Sequence, residues 1–185
     1  MQRFSFGDGQ LLAHSYFCKN SVNMKKTLIG ASLLLVILYS CSKSTGSIAC
    51  DPTFTPCAYI APQYEIDSVA KYLSDHGILD TVRHCSGMFY KIDSAGTGKT
   101  PDICSTITIK YTGMLKDSTV FDKSNSLTYM LGQFITGFKI GVPLIKEGGT
   151  IHLYIPPALA YGSQSVGSIP SNSMLIFEVS LISVQ

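Results

Sequence analysis

Few side chains in this chain are spaced for bond-making chemistry. His14, His76, His84 and His152 are scattered along it. No nucleophile–base pair, glycine-rich phosphate loop or metal-ligand cluster stands out. The stretch that could act on another molecule is Thr106–Asp122, TITIKYTGMLKDSTVFD. Ile107, Ile109 and Tyr111 alternate there with Thr106, Thr108, Lys110 and Thr112. Such period-two alternation of β-branched residues describes a strand with one buried face. Tyr111 is then directed inward, and a buried phenol needs a hydrogen-bond partner. Asp122, beside Phe121, is a carboxylate that can serve. An inward Tyr, a Phe and an Asp suit the lining of an apolar pocket with one polar spot. The plainer reading is a core tyrosine and a solvated aspartate.

The elements that would hold this pocket follow from the flanking patterns. Gly113 and Lys116-Asp117-Ser118 break the alternation and predict a loop before Phe121-Asp122. Leu127–Leu131 alternates again and ends at Gly132. Phe134-Ile135 leads through Thr136-Gly137 into a short helix over Phe138–Val142, limited by Pro143. Thr150–Ile155 and Met174–Val184 read as further strands. Between them, Ser163–Asn172 is a Gly/Ser-rich loop containing Ile169-Pro170, the kind of segment that often carries function. Upstream, Gly87–Asp93 reads as a strand. Ile66, Val69, Ala70 and Leu73 recur at helical spacing with Gly77 as a stop, predicting an amphipathic helix over Gln63–His76. The expected fold class is α+β: an antiparallel sheet of about five strands around a short helix, with an N-terminal helical extension.

The 185 residues are 45% hydrophobic and 14% charged, which excludes a disordered or nucleic-acid-coating chain. The net charge of +2 is unevenly placed. From Met24, Lys25-Lys26 precedes the apolar run LIGASLLLVILYS, which ends at Cys41. This is the layout of a secretory leader, too short to span a bilayer comfortably. Leu38-Tyr39-Ser40-Cys41 resembles a bacterial lipobox, which makes Cys41 the expected lipidation residue. An ordinary signal peptide or membrane anchor is the competing interpretation. The expected organisation is 1–23 as a mis-assigned start, 24–40 as leader, 41–62 as tether, 63–86 as helical extension and 87–185 as main domain. From Cys41 onward there are 10 Lys/Arg and 11 Asp/Glu, so no basic excess remains for nucleic acid. Ser42 following Cys41, with no acidic residue close behind, resembles lipoproteins placed on the inner leaflet of the outer membrane, facing the periplasm.

Cys50, Cys57, Cys85 and Cys104 follow the leader, and four cysteines in an exported chain predict two disulfides. Proximity in sequence favours Cys50–Cys57 with Cys85–Cys104. The rival is a zinc site involving His84-Cys85, although the spacing matches no common pattern and no metal is expected.

YTGML with a downstream FD, LGQFITGF, IPPALAYG, IPSNS and LIFEVSLI occur in order. Together they resemble the FKBP-type peptidyl-prolyl cis–trans isomerases, over about Gly87–Gln185. The resemblance implies a twisted antiparallel sheet wrapped around a short helix, acceleration of Xaa–Pro isomerisation without a cofactor, and proline-containing exported polypeptides as partners. It also implies macrolide inhibitors as ligands. Carried over by position, it makes Tyr111, Asp122 and Tyr161 the catalytic residues. Phe121, Leu127, Phe134, Ile135, Phe138, Ile169 and Phe177 become the substrate-binding wall. In the family the backbone N–H at Ile135 and the hydroxyl at Tyr161 bond the ligand. Leu127 stands where an aromatic is usual and Phe138 where Trp is frequent. The loop around Gln164–Ser168 is shorter than in the best-known members and lacks their histidine. A binding module or holdase chaperone that kept the fold but lost turnover, and an unrelated β-rich envelope protein, are the alternatives.

Overall fold

A computed structural model describes residues 50–185. The leader, the segment 1–23 and Cys41 lie outside the described residues. Helix α1 spans Gln63–Asp75, and α2 spans Thr136–Gly141. The strands are β1 (Val82–Arg83), β2 (Phe89–Ser94), β3 (Thr106–Leu115), β4 (Val120–Met130), β5 (Thr150–Ile155) and β6 (Leu175–Val184). All pair antiparallel in one sheet of order β1-β2-β5-β6-β3-β4. This is the α+β architecture expected, with six strands because a two-residue edge strand joins the five.

The alternation in the strands separates two apolar layers. Ile107, Ile109, Ile151, Leu153, Ile155, Leu175, Phe177, Val179 and Leu181 are buried in one cluster together with Phe138 and Ile140 of α2. Tyr154, Met174 and Ile176 belong to a second cluster, with Val69 and Leu73 of α1. Neighbouring residues of β5 and β6 thus serve opposite faces. Helix α2 has only six residues, too few to persist alone. It lies directly on β5 because it offers glycine there. A Cβ at Gly137 would meet Ile155 side-chain atoms at 2.6 Å, and one at Gly141 would meet Leu153 at 2.5 Å.

Two sequence expectations are revised near the site. Gly113 does not end β3, which continues to Leu115 before a turn in which Ser118 takes a positive φ of 67°. The segment Phe121-Asp122 and the segment Leu127–Met130 form a single long strand, β4, since pairing with β3 runs on through Lys123 and Ser124 and resumes at Leu127 after a register shift.

The expected cysteine pairing is corrected. Cys50 bonds Cys104 (Cα–Cα 5.0 Å) and Cys57 bonds Cys85 (5.4 Å). Sequence proximity misleads here because residues 50–62 do not form a local loop. Phe54 packs against the main core, Ala61 is buried, and the Ala61 N–H donates to the Ser86 carbonyl at 2.9 Å. That docking sets Cys57 beside Cys85. Cys57, His84 and Cys85 do cluster, but two sulfurs bonded to each other are not available as thiolate ligands, so the zinc alternative falls. The linked residues lie 54 and 28 positions apart, and in the chain-entropy view closing loops of this size stabilises by about 3–4 kcal/mol each. Proteolytic mapping of the unreduced protein is expected to recover peptides joined through Cys50–Cys104 and Cys57–Cys85. A Cys50–Cys57 peptide would refute this pairing.

Candidate functional site

The site forms where β3, β4, β6 and α2 meet. Tyr111 is half-buried, and its hydroxyl donates to Asp122 Oδ2 at 2.5 Å. Register explains the contact. Gly113 pairs with Asp122 across the ladder, so Tyr111, two residues back on the same face, meets Asp122 on the diagonal. Adjacent strand residues normally point to opposite faces, yet Phe121 and Asp122 serve the same site. The reason is a bulge. Pairing steps from Gly113↔Asp122 to Met114↔Val120 and leaves Phe121 unpaired, an irregularity that re-aims a side chain. Gly113 makes room for the result, because a Cβ there would lie 2.7 Å from both the Phe121 and Phe177 rings.

The rings pack edge to face, the arrangement favoured by their quadrupoles. Phe138 and Phe177 are 4.7 Å apart between centroids, and Phe121 and Phe177 are 5.5 Å apart. Tyr111 lies 6.4 Å from Phe138 and 6.3 Å from Phe177. Phe134 stacks on Phe138 at 5.3 Å. Phe138 and Phe177 are only 3% and 5% exposed and form the floor. Ile169 belongs to the same apolar core as Phe138 and Phe177, and Leu127 and Ile135 pack against that core.

The polar groups at this apolar surface are the Tyr111 and Tyr161 hydroxyls, the Asp122 carboxylate and the Ile135 N–H. Burial, followed by the bond to Asp122, pushes the Tyr111 phenol far above its ordinary pKa and keeps it neutral. Tyr161 stands at the rim, 37% exposed. Burial of its hydroxyl and then the nearby Asp122 charge raise its pKa too. Ile135 precedes α2 with φ −57° and ψ 155°, outside the helical region, and its carbonyl accepts from the N–H groups of Phe138 and Lys139. Neither the Ile135 N–H nor the Tyr161 hydroxyl has a hydrogen-bond partner among the described residues. Both are donors free for a ligand carbonyl.

Of the residues predicted for the pocket, Tyr111, Phe121, Phe134, Phe138 and Phe177 meet ring to ring and Asp122 joins them through Tyr111, while Tyr161 lies near enough to feel the Asp122 charge. Sequence reading missed Tyr129, whose ring meets Phe134 edge-on at 6.0 Å. Leu127 came from the family resemblance; the alternation over Leu127–Leu131 places Tyr129 on the same face and could have found it. It also missed Gly113, whose role depends on the bulge. An open groove of about 600 Å³ lies elsewhere, between Tyr64 and Ser68 of α1, Lys116, and Pro170–Met174. We assign the site to the ring cluster, since that groove gathers none of the rings or free donors.

Residues 98–182 match the family profile described as FKBP-type peptidyl-prolyl cis-trans isomerase. A probable FKBP-type peptidyl-prolyl cis-trans isomerase of Haemophilus influenzae is 44% identical over 104 residues, covering 54% of this chain and 43% of the relative. The outer membrane protein MIP of Legionella longbeachae is 43% identical over 105 residues, covering 54% and 45%. The chain therefore spans less than half the length of these relatives. The crystal structure of FkpA from Escherichia coli superposes with a TM-score of 0.61 at 34% identity, covering 66% of this chain and 60% of that one. Profile, relatives and topology agree: the fold is FKBP-like, and residues 98–182 are similar to the FKBP-type peptidyl-prolyl cis-trans isomerases.

Proposed function

We propose that the chain is a peptidyl-prolyl cis–trans isomerase for exported polypeptides. The observation that carries this reading is the Tyr111–Asp122 hydrogen bond set within the ring cluster, with the Ile135 N–H and the Tyr161 hydroxyl beside it as free donors. An Xaa–Pro bond prefers trans by only about 0.5–1 kcal/mol, but amide resonance raises the barrier to about 18–20 kcal/mol. Twisting the bond removes that resonance and makes the amide less dipolar. A dry wall of Phe121, Phe138, Phe177 and Ile169 then favours the twisted state over the planar one. The proline ring sits on the Phe138–Phe177 floor, the Ile135 N–H and Tyr161 hydroxyl hold substrate carbonyls, and Asp122 faces the carbonyl before proline. Tyr111 fixes the Asp122 carboxylate in place. No covalent step is needed, because each 1.36 kcal/mol removed from the barrier is worth a factor of ten. Leu127 widens one side, which suits bulky residues before proline, and macrolide inhibitors would occupy the same cleft.

We further propose export through the leader 24–40, with lipid attachment at Cys41 and residence on the outer membrane facing the periplasm. The Legionella relative is named as an outer membrane protein, which supports an envelope location. Two or more acyl chains anchor stably where a single one does not. Replacing Cys41 by Ala is expected to move the protein into the soluble periplasmic fraction. Retention of that variant in the membrane would count against lipidation.

Turnover of an Xaa–Pro peptide tests the activity itself. Asp122→Val is expected to lower turnover at matched folded concentration while changing stability less. Tyr161→Phe, which removes one hydrogen bond, is expected to cost up to roughly tenfold. Wild-type rates retained in Asp122→Val would remove that carboxylate from the mechanism. An intact fold without turnover would move the reading to a binding module.

Tyr111 also predicts an alkaline signature. Its folded pKa lies above the ordinary tyrosine value of about 10. Its contribution to stability is therefore fully present below about pH 10 and is lost as pH rises through the folded pKa. Urea unfolding is expected to show the wild type losing stability more steeply than Tyr111→Phe above about pH 10. Parallel profiles would mean that the phenol is not held neutral by the fold.

A further inference from the structure

Helix α1 precedes the matched domain, yet it reaches toward the site through one carboxylate. Glu65, in the first turn of α1, is 8% exposed. Its Oε2 accepts from the backbone N–H of Ala158 at 2.8 Å, and its Oε1 accepts from the Tyr64 hydroxyl at 3.2 Å. Ala158 lies in the 3-10 turn Pro157–Leu159, which follows β5. Pro156 and Pro157 have no N–H, so Ala158 offers the first donor of the turn, a group left without an internal partner in any helix-like turn. The later donors are satisfied locally. Leu159 N–H donates to the Pro156 carbonyl, while the Ala160 and Gly162 N–H groups both donate to the Pro157 carbonyl. Tyr161 lies between these last two. Asn172 N–H then donates to the Gly162 carbonyl at 2.8 Å, tying in the long loop that carries Ile169.

We propose that Glu65 is a positioning residue that sets Tyr161 through the Pro157–Leu159 turn. The proposal rests on the isomerase reading above, in which Tyr161 donates to a substrate carbonyl. The helix is suited to this task because its start is fixed. The Cys57–Cys85 bond and the Ala61–Ser86 hydrogen bond hold the chain before it, and Ile66, Val69 and Leu73 are buried along it. A charge-assisted hydrogen bond from such a base is short and directional. A hydroxyl at the rim gains from this, because small misplacement of a positioned group has a large cost in rate.

The test is a double-mutant cycle in the full chain, read as kcat and KM on an Xaa–Pro peptide at matched folded concentration. Glu65→Ala is expected to lower kcat about three- to tenfold with KM little changed. Glu65→Gln, which keeps an acceptor for Ala158, is expected to recover activity to within about twofold. In a Tyr161→Phe background, Glu65→Ala should add less than about a twofold loss, since the two act as one unit. Equal losses in both backgrounds would overturn the proposal and leave Glu65 a purely structural clamp. Nuclear magnetic resonance supplies a second measurement. The Gly162 amide and the Tyr161 ring resonances are expected to shift in Glu65→Ala while the Leu153 amide stays in place. An unmoved Tyr161 would also overturn the proposal. Should the wild type show no turnover, the isomerase reading falls, and the resonances alone decide whether Glu65 positions Tyr161.

Discussion

The site depends on a six-residue helix being held flush against a curled sheet. Helix α2 cannot stand alone, and its seat on β5 is set by Gly137 over Ile155 and Gly141 over Leu153. Because the backbones approach so closely, Phe138 reaches down to Phe177, and Ile135 is left at the helix entrance with its N–H unengaged. A side chain at either glycine would lift the helix and separate the floor of the site from its donors. Apolar burial thereby fixes the polar geometry, even though no polar group contributes to the seat itself.

A second constraint acts along β3 and β4. In an uninterrupted ladder Phe121 and Asp122 would face opposite sides of the sheet, and the pocket would have either a wall or a carboxylate. The bulge at Phe121 gives it both. The absent side chain at Gly113 then admits two aromatic edges into a space that a Cβ would block. Tyr111 joins the two features, since its ring meets Phe138 and Phe177 while its hydroxyl holds Asp122.

The sequence was most legible where one local pattern decided the outcome. Helix α1 was expected over Gln63–His76 and spans Gln63–Asp75, with His76 as its cap. The strand Thr150–Ile155 has the expected bounds. Ring convergence at Tyr111, Phe138 and Phe177 could be anticipated only by resemblance, because alternation says which face a residue takes but not what crosses it. Contacts between distant segments stayed hidden for the same reason. The bulge requires the register of two strands. The cysteine pairing requires residues 50–62 to be laid along the domain. The Glu65–Ala158 bond spans 93 residues, and from sequence Glu65 is one more acidic residue in a helical first turn.

The Cys50–Cys104 bond has a mechanical consequence. Cys104 lies two residues before β3, and the Cys50 side chain sits by Gly132, just past the end of β4. A pull on the chain upstream of Cys50 would divide between the backbone onward to α1 and the covalent branch into β3. The branch is the stiffer route, since β3 is paired on both sides. Tension would reach the ladder at the end of β3 away from Leu115, and α1 with its carboxylate contact would be largely shielded from the load.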